Sequence, residues 1–248
     1  MSPRLAFAVD AAYKGGRSTL GWFQAGAEVI TKSDATPVTI ADQNAERLIR
    51  ELIEKQYPHD AILGEEEGGD TGALDRWVID PIDGTKSFIS GVPLFATLVS
   101  YEVDGETEIA ACYLPALEEM FYAEKGKGAF LNGRPIHVST RESLKGGILC
   151  CGGSMFKDGN WQKVAPLMAK ALATRTWSDA YGHTLVACGR VEAMLDPVVN
   201  HWDISSVSLI TREAGGRFTD FKGNDKIALE GVSSNGMIHD EILLALQS

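Results

Sequence analysis

The sequence contains no apolar run approaching about 18 residues, so no membrane-spanning helix and no membrane partner are expected. It contains no CxxC pair. Cys112, Cys150, Cys151 and Cys188 read instead as small buried apolar residues of a reducing compartment. Positive charge is scarce: 23 Lys and Arg stand against 34 Asp and Glu, a net charge of −11. Such a chain repels phosphate backbones, which excludes nucleic-acid binding through a broad basic surface. Asp10 and Lys14 interrupt the apolar stretch after Arg4, so no signal peptide is expected and the cytoplasm is the expected location. Internal repeats, low-complexity tracts and obvious linkers are also missing. What is present is ordinary for a globular protein: 248 residues, 44% hydrophobic and 23% charged, enough for a core without staples.

Ser2-Pro3 reads as an N-cap followed by proline at the first helical position, with Leu5, Val9, Ala12, Leu20 and Phe23 near one face. Gly15-Gly16 weakens that helix. Thr31 to Pro37 is a polar loop with turn chemistry, and Thr39 opens a second helix that Pro58 ends. The period then changes. Ala61–Leu63, Arg76–Asp80, Phe95–Val103, Thr107–Tyr113, Met120–Glu124 and Gly128–Leu131 read as strands, with hairpin signals at Asp104-Gly105 and Asn132-Gly133. This middle third is expected to be an antiparallel sheet. Beyond it, strands at Ile148–Cys150, Val191–Leu195, Phe218 and Ala228-Leu229 alternate with helices at Trp161–Ala173, Tyr181–Gly189, Asp203–Ala214 and Met237–Leu246. That alternation predicts a mixed sheet covered by helices. The chain is divided at 1–140, an α+β part with the antiparallel sheet, and 141–248, an α/β part that completes the site.

Carboxylates concentrate where strands end or helices begin: Gly64-Glu65-Glu66-Glu67, Asp80-Pro81-Ile82-Asp83-Gly84-Thr85, and Trp202-Asp203. Asp80 closes a buried strand, and Pro81 forces the chain to turn. Gly84 permits an unusual backbone angle. Thr85 opens a short helix whose first N–H groups, those of Gly84 and Thr85, can meet an anion. Asp83 or Asp203 alone would be explained as a helix cap. The whole set carries too much charge for caps, because buried carboxylates repel one another unless cations hold them. Oxygen-rich clusters suit hard divalent cations, Mg²⁺ foremost. Such metals, bridged by Asp80, can activate water and stabilise the oxygens of a phosphoryl transfer. No Ser, Cys or His stands in a setting that marks a nucleophile.

At these residues the sequence resembles the inositol monophosphatase superfamily of Mg²⁺-dependent, lithium-sensitive phosphomonoesterases. Gly64-Glu65-Glu66, Trp77-x-x-Asp80-Pro81-Ile82-Asp83-Gly84-Thr85 and Trp202-Asp203 match its three signature segments in order. The resemblance implies a layered α/β/α/β/α sandwich and, as an expectation, a homodimer. It implies two or three Mg²⁺ per site. Glu65, Asp80 and the Ile82 carbonyl would hold the first, Asp80, Asp83 and Asp203 the second, and a third would sit near Glu65. Thr85 and Asp42 would orient the attacking water, and the Gly84 and Thr85 amides would contact the phosphate. Asp42 also has a local explanation, since Thr39-x-x-Asp42 has capping-box spacing. Lys32 to Pro37 would correspond to a mobile loop over the site, where Asp34 is either a further metal contact or a solvated turn residue. Glu67, where Ser is common, and Ser205-Ser206, where small apolar residues are common, depart from the pattern.

Within the superfamily the chain is most similar to bacterial histidinol-phosphate phosphatases. The similarity rests on Lys32-x-Asp34-x-x-Pro37-Val38-Thr39-x-Ala41-Asp42, Asp83-Gly84-Thr85-Lys86-Ser87-Phe88-Ile89, Tyr181-Gly182 and Asp196-Pro197. Asp196, seven residues before Asp203, occupies the place of a polyol-binding carboxylate and could equally pair with a cationic amine. Asp179 is a second substrate candidate, with an N-cap as its bland alternative. His183 is expected half-buried on a helix and His201 at the rim, neither with a required role. The leading expectation is therefore hydrolysis of L-histidinol phosphate. Inositol-1-phosphate comes next and the nucleoside or sugar bisphosphates lower. A binding protein that keeps the fold without turnover is the contrasting class.

Overall fold

The computed structural model describes residues 1–26, 29–31, 37–157 and 160–247, with Thr31 and Asn160 described for backbone only. The elements run α1 (Pro3–Thr19), β1 (Val29–Thr31), β2 (Pro37–Thr39), α2 (Ile40–Gln56), β3 (Ala61–Gly64), β4 (Gly68–Gly69), β5 (Arg76–Asp83), α3 (Thr85–Ile89), β6 (Ala96–Val103), β7 (Glu106–Leu114), β8 (Glu119–Glu124), β9 (Ala129–Leu131) and β10 (Arg134–Ile136). There follow β11 (Ile148–Cys151), α4 (Asn160–Lys170), β12 (Ala173–Arg175), α5 (Asp179–Ala187), β13 (Ala193–Asp196), α6 (His201–Glu213), β14 (Arg217–Thr219), β15 (Gly231–Ser234) and α7 (His239–Gln247).

Strands β3 to β10 form an eight-stranded sheet in the order β10-β9-β8-β7-β6-β5-β3-β4. Its two faces follow the alternation of side chains along each strand. Val99 and Tyr101 pack with Leu5, Ala8, Ile49 and Ile53 of α1 and α2. Leu98, with Ala110 and Cys112 of β7, packs with Ala180 of α5 and Val207 and Ile210 of α6. The second sheet, β12-β11-β13-β15-β14, meets α5 through Cys150 and Met194. Its opposite face, through Leu149, Cys151 and Leu195, meets Val164 and Leu167 of α4 and Ile242 of α7. The layers are therefore α1/α2, sheet, α5/α6, sheet, α4/α7: an α/β/α/β/α sandwich. Among the described residues no helix is long and apolar enough to cross a membrane.

Several expectations need correction. The first sheet is not wholly antiparallel: β3 pairs with β5 in parallel, Ala61 opposite Arg76. Gly15-Gly16 does not weaken α1. A Cβ at Gly15 would lie 2.6 Å from Ile49 Cδ1, and one at Gly16 2.7 Å from the Tyr113 ring, so these residues let the helix sit down on α2 and β7. The helix expected to reach Ala173 stops at Lys170, because Ala173–Arg175 is claimed as an edge strand by β11. Ala228-Leu229 is not a strand. Leu229 is largely exposed, and the antiparallel partner of β13 is Gly231–Ser234.

Candidate active site

β5 does not turn at Pro81. It continues to Asp83, and its register with β6 slips between the pairs Asp80–Leu98 and Asp83–Ala96. Proline cannot donate to the ladder, and a bulge is where a strand tolerates that loss. Thr97 Oγ1 donates to the Pro81 carbonyl at 2.7 Å, so the bulge is pinned from β6. The slip places Asp80 and Asp83 on one site. Gly84 then takes a left-handed conformation, φ 82°, and α3 begins.

Asp203 arrives from the opposite layer. It is the third residue of α6, where its Oδ2 accepts from the Asn200 N–H at 2.7 Å in a capping box. One carboxylate oxygen from each of Asp80, Asp83 and Asp203 lies within 4.8 Å of the others. Burial, followed by the negative charges of Glu65, Asp83 and Asp203, holds the Asp80 carboxyl well above the ordinary carboxylate range. Burial, then Asp179 and Asp203, does the same to Asp83. Asp203 is pushed up to about 7, chiefly by burial and also by Glu65. Glu65 follows β3, with its N–H donating to the Ile79 carbonyl at 3.2 Å, directly beside Asp80.

Asp42 is fully buried at the start of α2. Its Oδ2 accepts from the Thr39 N–H at 2.8 Å and from Thr39 Oγ1 at 2.6 Å, which completes the capping box. Its Oδ1 has no hydrogen-bond partner among the described residues. Burial, with a contribution from Glu65, pushes this carboxyl up to about 6. The cap thus uses Oδ2 and leaves Oδ1 without a hydrogen bond among the described residues. Thr85 Oγ1 donates to the Ile82 carbonyl at 3.1 Å, while Asp42 is engaged with Thr39. Lys32 to Thr36, including Asp34, lie outside the described residues.

On the substrate side, Asp179 is not the cap of α5. Ser178 holds that position, Asp179 is the first helical residue with φ 59°, and the Ala180 N–H is taken by Asp83 Oδ2 at 2.5 Å. Asp179 instead accepts from Ser178 Oγ at 3.1 Å and lies close to Gly84. It shares one cavity with Asp83, Asp196, Asp203 and His183. Asp196 ends β13, and burial with the charges of Asp179 and Asp203 holds its carboxyl well above the ordinary range. The Lys86 ammonium partly offsets Asp179 and Asp196.

His183 is buried rather than half-buried. Its Nδ1 pairs with Ser233 Oγ at 2.7 Å, and burial holds the ring neutral, its pKa driven down to about 3. His201 is tied inward at 2.6 Å to Glu102 Oε1. Sequence reasoning passed over Glu46, which lies one turn beyond Asp42 on the same buried face of α2. The apolar-polar period of an amphipathic helix gives no reason to place a carboxylate inside; the only signal was the i, i+4 spacing from Asp42.

A divalent cation fits these residues. Asp80 Oδ1 is buried without a hydrogen-bond partner among the described residues, and Asp80, Asp83 and Asp203 offer converging hard oxygens. Without a cation, packing these carboxylates together is unfavourable.

The family model of the inositol monophosphatase family matches residues 1–248. A histidinol-phosphatase of Chlorobaculum parvum is 39% identical over 99% of this chain and 97% of its own length. The Nus factor SuhB of Escherichia coli is 35% identical over 93% of this chain and 90% of its own length. Among solved structures, a Thermotoga maritima IMPase superposes with a TM-score of 0.92 at 33% identity, covering 99% of this chain and 97% of that one.

Proposed function

The chain belongs to the inositol monophosphatase family and is a phosphoric monoester hydrolase, and we propose that it hydrolyses L-histidinol phosphate to L-histidinol and phosphate with Mg²⁺. The observation that carries this reading is the pair Asp179 and Asp196, two further carboxylates lining the same cavity as Asp83 and Asp203. Two carboxylates side by side in a phosphate-binding site suit a substrate whose other end is cationic better than one that carries hydroxyls alone. The amine of histidinol phosphate supplies that charge. The name of the Chlorobaculum parvum relative agrees.

In this reading Glu65, Asp80, the Ile82 carbonyl, Asp83 and Asp203 hold two or three Mg²⁺. When bound, the metal supplies Lewis-acid charge to the phosphoryl oxygens and lowers the pKa of the attacking water. The chain's own residues do the rest. The Gly84 and Thr85 amides receive non-bridging phosphate oxygens. Thr85 Oγ1 and the free Oδ1 of Asp42 orient the water, with Asp42 as acceptor. Asp179 and Asp196 receive the ammonium group and so fix the leaving alcohol. A homodimer in the cytoplasm is part of the proposal.

Inositol-1-phosphate is the second reading, favoured by the fold shared with the Thermotoga maritima IMPase, and it needs Asp196 only as a hydroxyl acceptor. The test is phosphate release from both substrates with Mg²⁺, with an EDTA control. A higher kcat/KM for L-histidinol phosphate that falls selectively in Asp179→Asn supports the proposal. Preference for inositol-1-phosphate overturns the substrate and leaves the reaction class. No turnover of any phosphomonoester by the metal-loaded protein would favour a binding role.

A further inference from the structure

Glu46 is fully buried on α2, yet nothing in the chemistry above uses it. Its carboxylate accepts three hydrogen bonds. Oε2 accepts from the Glu66 N–H at 2.7 Å, and Oε1 accepts from the Glu67 N–H at 3.0 Å and from Arg50 Nε at 2.8 Å. Arg50 also donates through Nη2 to the Gly68 carbonyl, so the pair clamps the turn between β3 and β4 from both ends. That turn carries Glu65. Its position is therefore set on one side by β5, through the bond from the Glu65 N–H to the Ile79 carbonyl, and on the other by Glu46.

The same contact explains why the first acidic segment begins with glycine. A Cβ on Gly64 would stand 2.1 Å from Glu46 Oε1 and 2.7 Å from Arg50 Nη2. Only a residue without a side chain lets the carboxylate reach the next two amides. Two consecutive N–H groups on one carboxylate fix both the direction and the twist of the peptide planes after Glu65. Buried carboxylates so fully bonded are costly to disturb.

We infer that Glu46 is the positioning residue of Glu65: through the Glu66 and Glu67 amides it holds that carboxylate against Asp80, and so sets the affinity of the site for a divalent cation. The inference rests on the metal reading of the preceding section and adds a residue outside the proposed ligand set. Charge alone does not explain the arrangement, since Arg50 already neutralises Glu46; the two amide bonds are what a positioning role requires.

The experiment is Mn²⁺ binding, followed by electron paramagnetic resonance, to the full chain and to Glu46→Gln. The near-isosteric amide keeps one acceptor and turns a donor towards the other N–H. Loss of a supporting bond of this kind weakens metal binding by about 10–100-fold. The expected result is a loss in that range at one site, with the Mg²⁺ concentration for half-maximal activity rising in parallel and kcat at saturating Mg²⁺ changing far less. Gly64→Ala, which pushes on the same carboxylate from the other side, is expected to act in the same direction and to be less than additive with Glu46→Gln. If unpaired Arg50 prevents Glu46→Gln from folding, Glu46→Gln/Arg50→Gln removes both charges and takes its place. A folded variant with wild-type Mn²⁺ affinity overturns the inference, as does a fall in melting temperature and kcat with affinity unchanged. Wild-type protein that binds no Mn²⁺ would instead bring down the metal reading, and this inference with it.

Discussion

The Asp83 carboxylate receives the N–H of Ala180 at 2.5 Å, so a residue that ends β5 caps a helix 97 positions further along the chain. One oxygen joins the eight-stranded sheet to the α5/α6 layer, and a carboxylate oxygen of the same residue belongs to the cluster with Asp80 and Asp203. In Asp83→Asn the amide oxygen can still cap. The expected loss of stability from the cap is at most about 1 kcal/mol. Without metal that loss is offset, because one member of a mutually repelling set has become neutral. If Asp83 ligates the metal as proposed, phosphatase activity should fall at least about 100-fold, since a direct ligand matters no less than a supporting one. Circular dichroism melts beside phosphate-release rates check this. Activity retained at full rate would remove Asp83 from the metal site.

Stability of the metal-free protein should depend on pH with an unusual sign. Asp203 is pushed from 3.8 to about 7, and Asp80 and Asp83 also lie well above the ordinary range. Across that window these groups hold protons in the folded chain and have lost them in the unfolded one. The contribution of Asp203 is therefore full below 3.8 and is lost as pH rises through about 7, and Asp80 and Asp83 act in the same direction. A bound cation needs the ionised form and reverses the trend. The gain in melting temperature on adding Mg²⁺ should thus be small in mild acid and largest above pH 7. Thermal melts with EDTA and with Mg²⁺ across this range measure it. A gain independent of pH would show that the cation binds elsewhere.

The three acidic segments were legible because each is marked locally: a strand end followed by Gly-Glu-Glu, an Asp-Pro-x-Asp-Gly-Thr run, a Trp-Asp at a helix start. The β6–β7 hairpin was equally plain, with Asp104-Gly105 at its turn, whereas Asn132-Gly133 turns β9 into β10, a strand that was not placed from the sequence. What was hidden depends on partners distant in sequence. β12 and the parallel pairing of β3 with β5 are decided by neighbouring strands rather than by their own periodicity. Asp179 has the composition of a cap, but Asp83 takes the amide that matters and Asp179 faces the cavity. Glu46 looks like a solvent-facing helix residue until the Glu66 and Glu67 amides are placed against it.

Gly84→Ala tests how closely the two halves of the site are fitted. The residue sits at φ 82°, and an added Cβ would lie 3.1 Å from the Leu94 carbonyl oxygen and 3.2 Å from Asp179 Oδ2. The left-handed angle alone costs about 1–2 kcal/mol in a residue with a side chain. The Asp179 contact adds a specific effect: the carboxylate must give way by a few tenths of an ångström. KM for a phosphomonoester that carries an ammonium group should therefore rise more than KM for one that does not. Steady-state kinetics on the two substrates separate this from simple destabilisation, which would lower active enzyme for both alike.

The start of α6 is attached to the eight-stranded sheet through Glu102. Glu102 is fully buried on β6 and accepts from Arg76 Nε at 2.9 Å and Ser205 Oγ at 3.1 Å, with His201 Nε2 at 2.6 Å. Ser205 also pairs with Ser100 Oγ at 2.8 Å and Thr107 Oγ1 at 3.0 Å, which gives this departure from the family pattern a structural reason. The network ties the first turns of α6 to the eight-stranded sheet, and Asp203 lies in the first of those turns. Glu102→Gln leaves the Arg76 guanidinium buried without its counter-charge, a loss of about 3–5 kcal/mol. Because His201 and Ser205 flank Asp203, the damage should reach the site. Mg²⁺ affinity is expected to fall together with the melting temperature, whereas an Arg190→Gln change at the exposed pair with Glu119 should alter neither by much. Calorimetric titration with Mg²⁺ and thermal melts on both variants decide it. A Glu102→Gln protein that melts early but binds Mg²⁺ as tightly as the parent would show that Asp203 is held by its own capping box and does not depend on the sheet.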